Sequence, residues 1–154
     1  MKKIMFVCHG NICRSPMAEF ILKDMVKRKG LENEFFISSS ATSTEEIWNG
    51  VGNPVYPPAR VVLEAHSLNP DGKRAVQLTS SDYDKYDLFI GMDSANIRNM
   101  KRILRGDSDN KIRKLMEYTG SGADVSDPWY TRDFERCYND IYKGCEALLK
   151  ALTE

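Results

Sequence analysis

The sequence predicts an α/β protein in which a parallel sheet is covered by helices on both faces. Three observations support this. Short apolar runs alternate along the chain with longer amphipathic patterns, and there are no repeats or low-complexity segments. With 154 residues and 42% hydrophobic content, the chain is long enough for one well-buried core but too short for two. We therefore expect a single domain, 1–154, whose ligand site lies beyond the carboxyl ends of the strands.

The first half of the chain supplies a strand, a helix and a second strand. An apolar run at 4–7 predicts a strand, and apolar positions recurring every three or four residues predict a helix over 15–30, where a glycine ends it. Another apolar run at 35–37 predicts a buried strand. Residues 38–58 have the composition of a loop, and a loop of this length without secondary structure is usually functional or mobile.

The second half continues the alternation. Two prolines suit the first turn of a helix expected over 57–67. It is followed by a turn at 69–72, helix caps at 79–81, a strand at 88–92, a helix at 94–104, a strand at 112–116, a loop ending at 127–130 and an amphipathic helix over 134–152. Strands separated by helices in this way pair in parallel.

Charge and N-terminal composition exclude several classes of function. The 22 basic and 22 acidic side chains cancel, so no overall field attracts nucleic acid or an anionic membrane. The N-terminal apolar run is interrupted at Cys8 and His9, before it reaches the length of a signal peptide or a membrane span. We expect a cytoplasmic monomer with neither nucleic acid nor membrane as a partner.

The four cysteines lack the spacing of a metal site. Tetrahedral zinc sites usually use CxxC pairs, and none occurs among Cys8, Cys13, Cys137 and Cys145. Neither a metal ion nor another cofactor is therefore expected. Cys137 and Cys145 fall in the last helical pattern, where they are either small buried hydrophobes or surface thiols.

The segment VCHGNICRSP, residues 7–16, connects the first predicted strand to the first predicted helix. A helix N-terminus presents free backbone N–H groups and the positive end of the helix dipole, which together bind anions. Cys8 and Arg14 are expected to face such an anion from opposite ends of the loop. The electropositive site favours a thiolate nucleophile at Cys8, and the guanidinium of Arg14 offers paired donors to two phosphate oxygens.

Three smaller residues are expected to support this loop. Gly10 lets successive N–H groups turn toward one anion. The side chain of Asn11 can brace the loop, and the hydroxyl of Ser15 can donate to the sulfur of Cys8.

The sequence CHGNICRSP closely resembles the phosphate-binding loop of the low-molecular-weight protein tyrosine phosphatases. The segments SSATSTEE, GNPVYPPA, GMDSAN and DPWY follow in the family's order, so the resemblance covers nearly the whole chain. It implies one phosphatase domain with a flavodoxin-like, three-layer fold around four parallel strands. It also implies hydrolysis of phosphotyrosine and aryl phosphate monoesters through a cysteinyl-phosphate intermediate, without a metal.

The resemblance also assigns roles to individual residues. Cys8 corresponds to the nucleophile, Arg14 to the residue that binds the phosphoryl oxygens, and Asp127 to the general acid that protonates the leaving group. The phosphate is expected to be bound by the loop residues His9, Gly10, Asn11, Ile12, Cys13, Arg14 and Ser15.

Aromatic residues point to the substrate. Trp48, Trp129 and Tyr130 are expected to form cleft walls deep enough for a phenyl phosphate, although Trp48 could equally anchor its loop to the body of the protein. Family members selective for phosphoarginine tend to have threonine where this chain has Ile12, so the resemblance favours a phosphotyrosine protein or a small aryl phosphate. Cys13 matches a family cysteine that can form a disulfide with the nucleophile.

The chain departs from the family pattern in three places. His9 replaces a leucine common in animal members, and WNGV around Trp48 looks like a short insertion. Lys73 stands where many relatives have histidine, which puts in doubt the polar network that supports Ser15.

Two other functions are compatible with parts of this pattern. An arsenate reductase of the same fold needs an additional cysteine pair in the middle of the chain, and none occurs between Cys13 and Cys137. A noncatalytic phosphate-binding module would not need both Cys8 and Asp127.

Overall fold

The computed structural model describes residues 1–154. At its centre is a four-stranded parallel sheet in the order β2 (Phe35–Ala41), β1 (Lys2–Cys8), β5 (Leu88–Gly91) and β6 (Ile112–Lys114). A separate antiparallel hairpin consists of β3 (Ile47–Trp48) and β4 (Val51–Gly52). The helices are α1 (Arg14–Arg28), α2 (Pro57–Ala65), α3 (Ser94–Ile103), α4 (Pro128–Thr131) and α5 (Phe134–Thr153). Short 3₁₀ helices span Glu32–Glu34, Ser80–Lys85 and Leu115–Thr119.

Strand β1 is buried on both faces because helices cover both. Successive side chains of a strand point to opposite faces of the sheet. Ile4 and Phe6 pack into the larger core, which includes residues of α1, α2 and α5. Met5 and Val7 pack into a smaller core that includes Met100 of α3. The parallel sheet with helices on both faces, predicted from the alternation of patterns, is confirmed.

The long helix α5 packs along α1 and buries the two C-terminal cysteines. Cys137 and Cys145 both belong to the larger core. Of the two interpretations offered by the sequence, the buried one is correct. Burial raises the pKa of Cys137 to about 12 and also raises the pKa of Cys145, so both thiols remain protonated.

The first part of segment 38–58 is a strand, not the loop predicted from its composition. Strand β2 continues to Ala41 because residues 38–41 pair in register with residues 5–8 of β1. Two of its three serines, Ser39 and Ser40, are buried, and the hydroxyl of Ser39 donates to Glu19 at 2.6 Å. The polar composition concealed this strand because those hydroxyls are satisfied inside the protein.

The middle of that segment forms the β3–β4 hairpin. Asn49 and Gly50 have φ values of 50° and 76°, as the central residues of a type I′ turn require. A side chain at Gly52 would overlap the backbone of Ala75, so the hairpin packs closely against the segment that contains Ala75.

Two further boundaries differ from the predictions. The strand predicted at 112–116 ends at Lys114, whose backbone N–H donates to Glu117 and so begins a 3₁₀ helix. The loop predicted to end at 127–130 instead contains the single-turn helix α4. None of the helices has the length and hydropathy needed to span a membrane.

Candidate active site

The carboxyl ends of β1 and β5 meet where the strand order reverses, with β2 on one side of β1 and β5 on the other. Crevices at such points are the usual ligand sites of open parallel sheets. Cys8 is the last residue of β1, and Asp93 follows the end of β5. The loop predicted to bind an anion therefore begins at this crevice and leads into α1 at Arg14.

The thiol of Cys8 is buried, with 3% of the residue exposed. Its Sγ accepts a hydrogen bond from the backbone N–H of Asn11 at 3.3 Å and lies 3.0 Å from the hydroxyl of Ser15. The φ of Asn11 is 59°, a left-handed conformation that asparagine adopts more readily than most residues. This turn of the chain brings the N–H of Asn11 back to the sulfur.

Other backbone amides of the loop are free to bind an anion. The N–H groups of His9, Gly10, Ile12 and Cys13 have no acceptor within the chain. Together with the N-terminus of α1, they form the kind of cradle that binds phosphate in other proteins.

The contacts of Asn11 fix the direction of the Ser15 hydroxyl. The Oδ1 of Asn11 accepts from the backbone N–H of Val76 at 3.0 Å, so its Nδ2 carries the two protons that it donates. One goes to Ser15 Oγ at 2.8 Å and the other to Ser39 Oγ at 3.0 Å. Because Ser15 Oγ accepts from Asn11, its own proton points to the sulfur of Cys8. That hydrogen bond stabilises the thiolate form of Cys8.

A buried ion pair orients the far end of this network. Ser39 Oγ donates to Glu19 Oε1, and Lys73 Nζ lies 3.5 Å from the same oxygen while donating to the backbone oxygen of Ser39 at 3.0 Å. The side chains of Glu19 and Lys73 are only 7% and 12% exposed. Burial lowers the pKa of Lys73, although Glu19 opposes this effect. Lys73 thus completes the network that the absence of a histidine had put in doubt.

Arg14 lines the crevice although only 2% of the residue is exposed. Its Nη1 donates to Asp93 Oδ2 and to the backbone oxygen of Val125, both at 2.8 Å, and its Nη2 lies 3.6 Å from Asp127 Oδ2. Burial disfavours the charge of Arg14, but Cys8 and then Asp93 outweigh burial and raise the pKa of Arg14. Nη1 is therefore held by the protein, whereas the longer contact of Nη2 is the one that a phosphate oxygen can replace.

Asp127 approaches the crevice from the other end of the chain. Its Oδ1 caps α4 by accepting from the backbone N–H of Trp129 at 3.0 Å, and Pro128 occupies the first helical position. The side chain is 28% exposed and lines the same cleft as Cys8 and Arg14. The structure thus brings the three predicted catalytic residues together.

A cleft of about 340 Å³ opens over Cys8. The ring of Trp129 packs against that of Tyr56, with centroids 4.9 Å apart, and remains 46% exposed. Tyr130 also lines the cleft and is 82% exposed. Both predicted aromatic residues next to Asp127 therefore present ring surface at the cleft.

Trp48 does not line the cleft, contrary to the first interpretation of its role, and it does not anchor the segment either. It is 79% exposed. The preceding residue, Ile47, packs against the larger core, and side chains alternate along a strand, so Trp48 points to solvent.

Two acidic residues, Glu45 and Glu46, line the cleft and were not predicted from the sequence. They lie in the segment SSATSTEE, which was recognised without a role for its glutamates, because surface glutamates are usually only solvated. Glu45 Oε2 lies 3.1 Å from His9 Nε2. Asp93, in the segment GMDSAN, was also missed as the partner of Arg14.

The remaining loop residues lie where the phosphate-binding prediction needs them. His9, Gly10, Ile12 and Cys13 all line the cleft. Cys13 precedes α1 and is 7% exposed; burial, followed by the nearby Cys8, raises the pKa of its thiol. No group of three or more His, Cys, Asp or Glu side chains is arranged to hold a metal ion.

Comparison with known proteins gives consistent matches over nearly the full chain. The model of the family described as low molecular weight phosphotyrosine protein phosphatase matches residues 3–154. The low molecular weight protein-tyrosine-phosphatase YfkJ of Bacillus subtilis (strain 168) is 36% identical over 154 residues, which cover 99% of this chain and 96% of that protein. A low molecular weight phosphotyrosine protein phosphatase of Gallus gallus is 35% identical over 155 residues, covering 97% and 95%.

Solved structures agree with these sequence matches. The crystal structure of YfkJ superposes with a TM-score of 0.92 and covers 99% of this chain and 94% of that one. The low molecular weight protein tyrosine phosphatase SP-PTP of Streptococcus pyogenes is 41% identical, with a TM-score of 0.87 and coverage of 100% and 95%.

Proposed function

The chain belongs to the low-molecular-weight phosphotyrosine protein phosphatase family, and on this premise we propose how its own residues hydrolyse phosphotyrosine and other aryl phosphate monoesters. The enzyme is a hydrolase, and the family mechanism passes through a cysteinyl-phosphate intermediate. The observation that carries the assignment of roles is the convergence of Cys8, Arg14 and Asp127 on one cleft.

In the first step, the phosphoryl group binds to the free loop amides and to Nη2 of Arg14, which exchanges Asp127 for a phosphate oxygen. The thiolate of Cys8 attacks phosphorus, a sulfur–phosphorus bond forms, and the bond from phosphorus to the ester oxygen breaks. Asp127, once released from Arg14, takes up a proton from solvent and passes it to that oxygen, so the leaving group departs as a neutral phenol.

In the second step, Asp127 accepts a proton from a water molecule that attacks phosphorus, and the sulfur–phosphorus bond breaks. The products are inorganic phosphate and the Cys8 thiolate. The hydroxyl of Ser15 and the N–H of Asn11 already point to this sulfur and stabilise the charge as it returns.

We expect the enzyme to hydrolyse para-nitrophenyl phosphate and a phosphotyrosine peptide in the presence of a chelator, because the residues of the cleft supply nucleophile, acid and cation. A phosphoarginine peptide is the comparison substrate, since Ile12 and the aromatic residues at the cleft favour an aryl group. A kcat/KM at least about tenfold higher for phosphotyrosine is expected. A preference for phosphoarginine would contradict the substrate assignment while leaving the phosphatase chemistry in place.

A reversible disulfide between Cys8 and Cys13 is expected under peroxide. Peroxide oxidises the Cys8 thiolate to a sulfenic acid; the Cys13 thiol then attacks that sulfur, and water leaves as the disulfide forms. Burial is the main cause of the raised pKa of Cys13 and the charge of Cys8 is the second, and oxidation removes this second cause.

Mass spectrometry of peroxide-treated enzyme tests for this disulfide, followed by recovery of activity with dithiothreitol. In Cys13→Ala we expect recovery to be largely lost, because Cys8 then proceeds to sulfinic acid. Equal recovery of the wild type and Cys13→Ala would argue against protection by Cys13.

We further propose a cytoplasmic location and a monomeric active form. Four free and buried cysteines suit a reducing compartment, which supports a cytoplasmic location. Cys8, Arg14 and Asp127 supply the nucleophile, cation and acid without a residue from a second copy, so we propose that a monomer is catalytically competent. The raised pKa values of Cys137 and Cys145 argue against a thiol relay such as an arsenate reductase uses.

A further inference from the structure

We propose that Glu45, Glu46 and the β3–β4 hairpin form a docking rim that selects polypeptides with a lysine or arginine beside the phosphotyrosine. The inference rests on the phosphatase activity proposed above and specifies the substrate of the same site. It is based on the positions of charged side chains in the cleft: Arg14 lies at the floor, and Glu45 and Glu46 lie at the rim.

The cation that receives the phosphate lies at the floor of the cleft, beside Cys8 and Asp127, and the rim carries two further carboxylates. Arg14 is the only lysine or arginine that lines the cleft, and it is buried. Glu45 and Glu46 line the same cleft without a lysine or arginine partner: His9 is the only ionic partner of Glu45, and Glu46 Oε2 accepts from the neutral amide of Asn53 at 2.7 Å. A substrate that carries a cation next to its phosphate therefore matches both charges.

The backbone that leads to the two glutamates is tied to the phosphate-binding loop. The backbone N–H groups of Thr42 and Ser43 donate to the carbonyl oxygens of Cys8 and His9, both at 3.0 Å. A Cβ atom on Gly10 would lie 3.3 Å from Glu46 Cγ, so Glu46 packs directly over the loop. Adjacent residues of an extended peptide are roughly 3.8 Å apart, and Glu45 and Glu46 line the cleft that receives the phosphotyrosine, so we place the side chain next to the phosphotyrosine at this rim.

The hairpin extends the rim with an exposed apolar face. Trp48 and Val51 pair directly across the hairpin, and they are 79% and 58% exposed. The hairpin is firmly held: Arg74 Nη1 donates to the backbone oxygen of Gly52 at 3.0 Å, and Ala75 N–H donates to Asn53 at 2.9 Å. Trp48 is exposed two residues along the chain from Glu46, which lines the cleft, so its ring is available to an apolar substrate residue beyond the basic one.

Two phosphotyrosine peptides test the charge selection. They share a leucine three residues after the phosphotyrosine and differ only in having lysine or glutamate on both sides of it. For the wild type, we expect kcat/KM to be about five- to tenfold higher for the lysine peptide at low ionic strength. In the double variant Glu45→Gln, Glu46→Gln, this ratio should fall to about two or less.

The ratio of the two peptides cancels any effect of these substitutions on turnover itself. A matched control is Glu32→Gln, Glu34→Gln, which removes two exposed carboxylates before β2, at the opposite end of the sheet from the cleft. This control should keep the wild-type ratio. Equal kcat/KM for the two peptides with the wild type, or an unchanged ratio in the double rim variant, would overturn the proposed selection.

The hairpin is tested with Trp48→Ala, which should lower kcat/KM several-fold for both peptides while their ratio stays as in the wild type. Val61→Ala, at a 66% exposed position of α2, is the control and should change neither value. Unchanged peptide kinetics in Trp48→Ala would overturn docking on the hairpin. If the wild type hydrolyses neither peptide nor para-nitrophenyl phosphate, the proposed function fails instead, and the two failures are distinct.

Discussion

Replacing Cys8 with serine is expected to lower kcat for para-nitrophenyl phosphate by roughly 10⁴- to 10⁶-fold, the scale seen when a catalytic nucleophile is removed. A serine hydroxyl holds its proton far more tightly than a thiol does. The groups around Sγ, the N–H of Asn11 at 3.3 Å and the hydroxyl of Ser15 at 3.0 Å, donate protons and cannot remove one. The substituted oxygen therefore stays protonated and unreactive.

Binding of inorganic phosphate separates this chemical effect from misfolding. The free loop amides and Arg14 do not depend on the sulfur, so Cys8→Ser should bind phosphate at least as tightly as the wild type in titration calorimetry. Cys145→Ala, a change in the core away from the cleft, should keep wild-type turnover. A Cys8→Ser enzyme with turnover within tenfold of the wild type would exclude Cys8 as the nucleophile.

The sequence was most informative for the segment between β1 and α1, where the reactive side chains and the residues that position them lie close together in the chain. Cys8 ends a strand and Arg14 begins a helix, so the apolar run and the helical pattern were sufficient to place both at the carboxyl edge of the sheet. The supporting hydrogen bonds of Asn11 and Ser15 are also local, within seven residues of Cys8. Asp127 could be assigned only through the resemblance, because nothing near it in the chain indicates that it returns to Cys8.

The features that were missed depend on contacts between distant segments. Glu19 and Lys73 meet only after α1 and the segment after α2 have packed around β2. Glu19 was therefore missed, and Lys73 was noted only as a departure from histidine that put the network in doubt. Trp48 was misassigned because its direction depends on Ile47 packing into the core. In the same way, the position of Glu45 and Glu46 at the cleft depends on backbone hydrogen bonds between the segment before them and the phosphate-binding loop, which the sequence does not indicate.

Replacing Asp127 with asparagine is expected to lower kcat/KM, which reports the step in which the leaving group departs, by about 10²- to 10⁴-fold for phenyl phosphate and much less for para-nitrophenyl phosphate. Phenolate is the poorer leaving group and depends on the proton that Asp127 supplies, whereas nitrophenolate departs more easily without it. Asparagine keeps an Oδ1 that can cap α4 through the N–H of Trp129, so the helix is retained while the acid is lost. Asp127→Ala removes both the acid and the cap of α4. Comparing the two variants therefore separates the effect of losing the proton donor from the effect of displacing the loop that carries it.

The measurement is kcat/KM for a series of substituted phenyl phosphates, plotted against the pKa of the leaving phenol. This quantity leaves out the second step, in which Asp127 acts on the same intermediate whatever the substrate. The wild type should show a shallow dependence, and Asp127→Asn a steep one, because charge now accumulates on the leaving oxygen in the transition state. Loss of the 3.6 Å contact with Asp127 also frees Nη2 of Arg14, so inorganic phosphate should bind no more weakly than in the wild type. An equal decrease across the series would show that Asp127 holds the cleft in shape without donating the proton, and the acid would then have to be sought among the other residues of the rim.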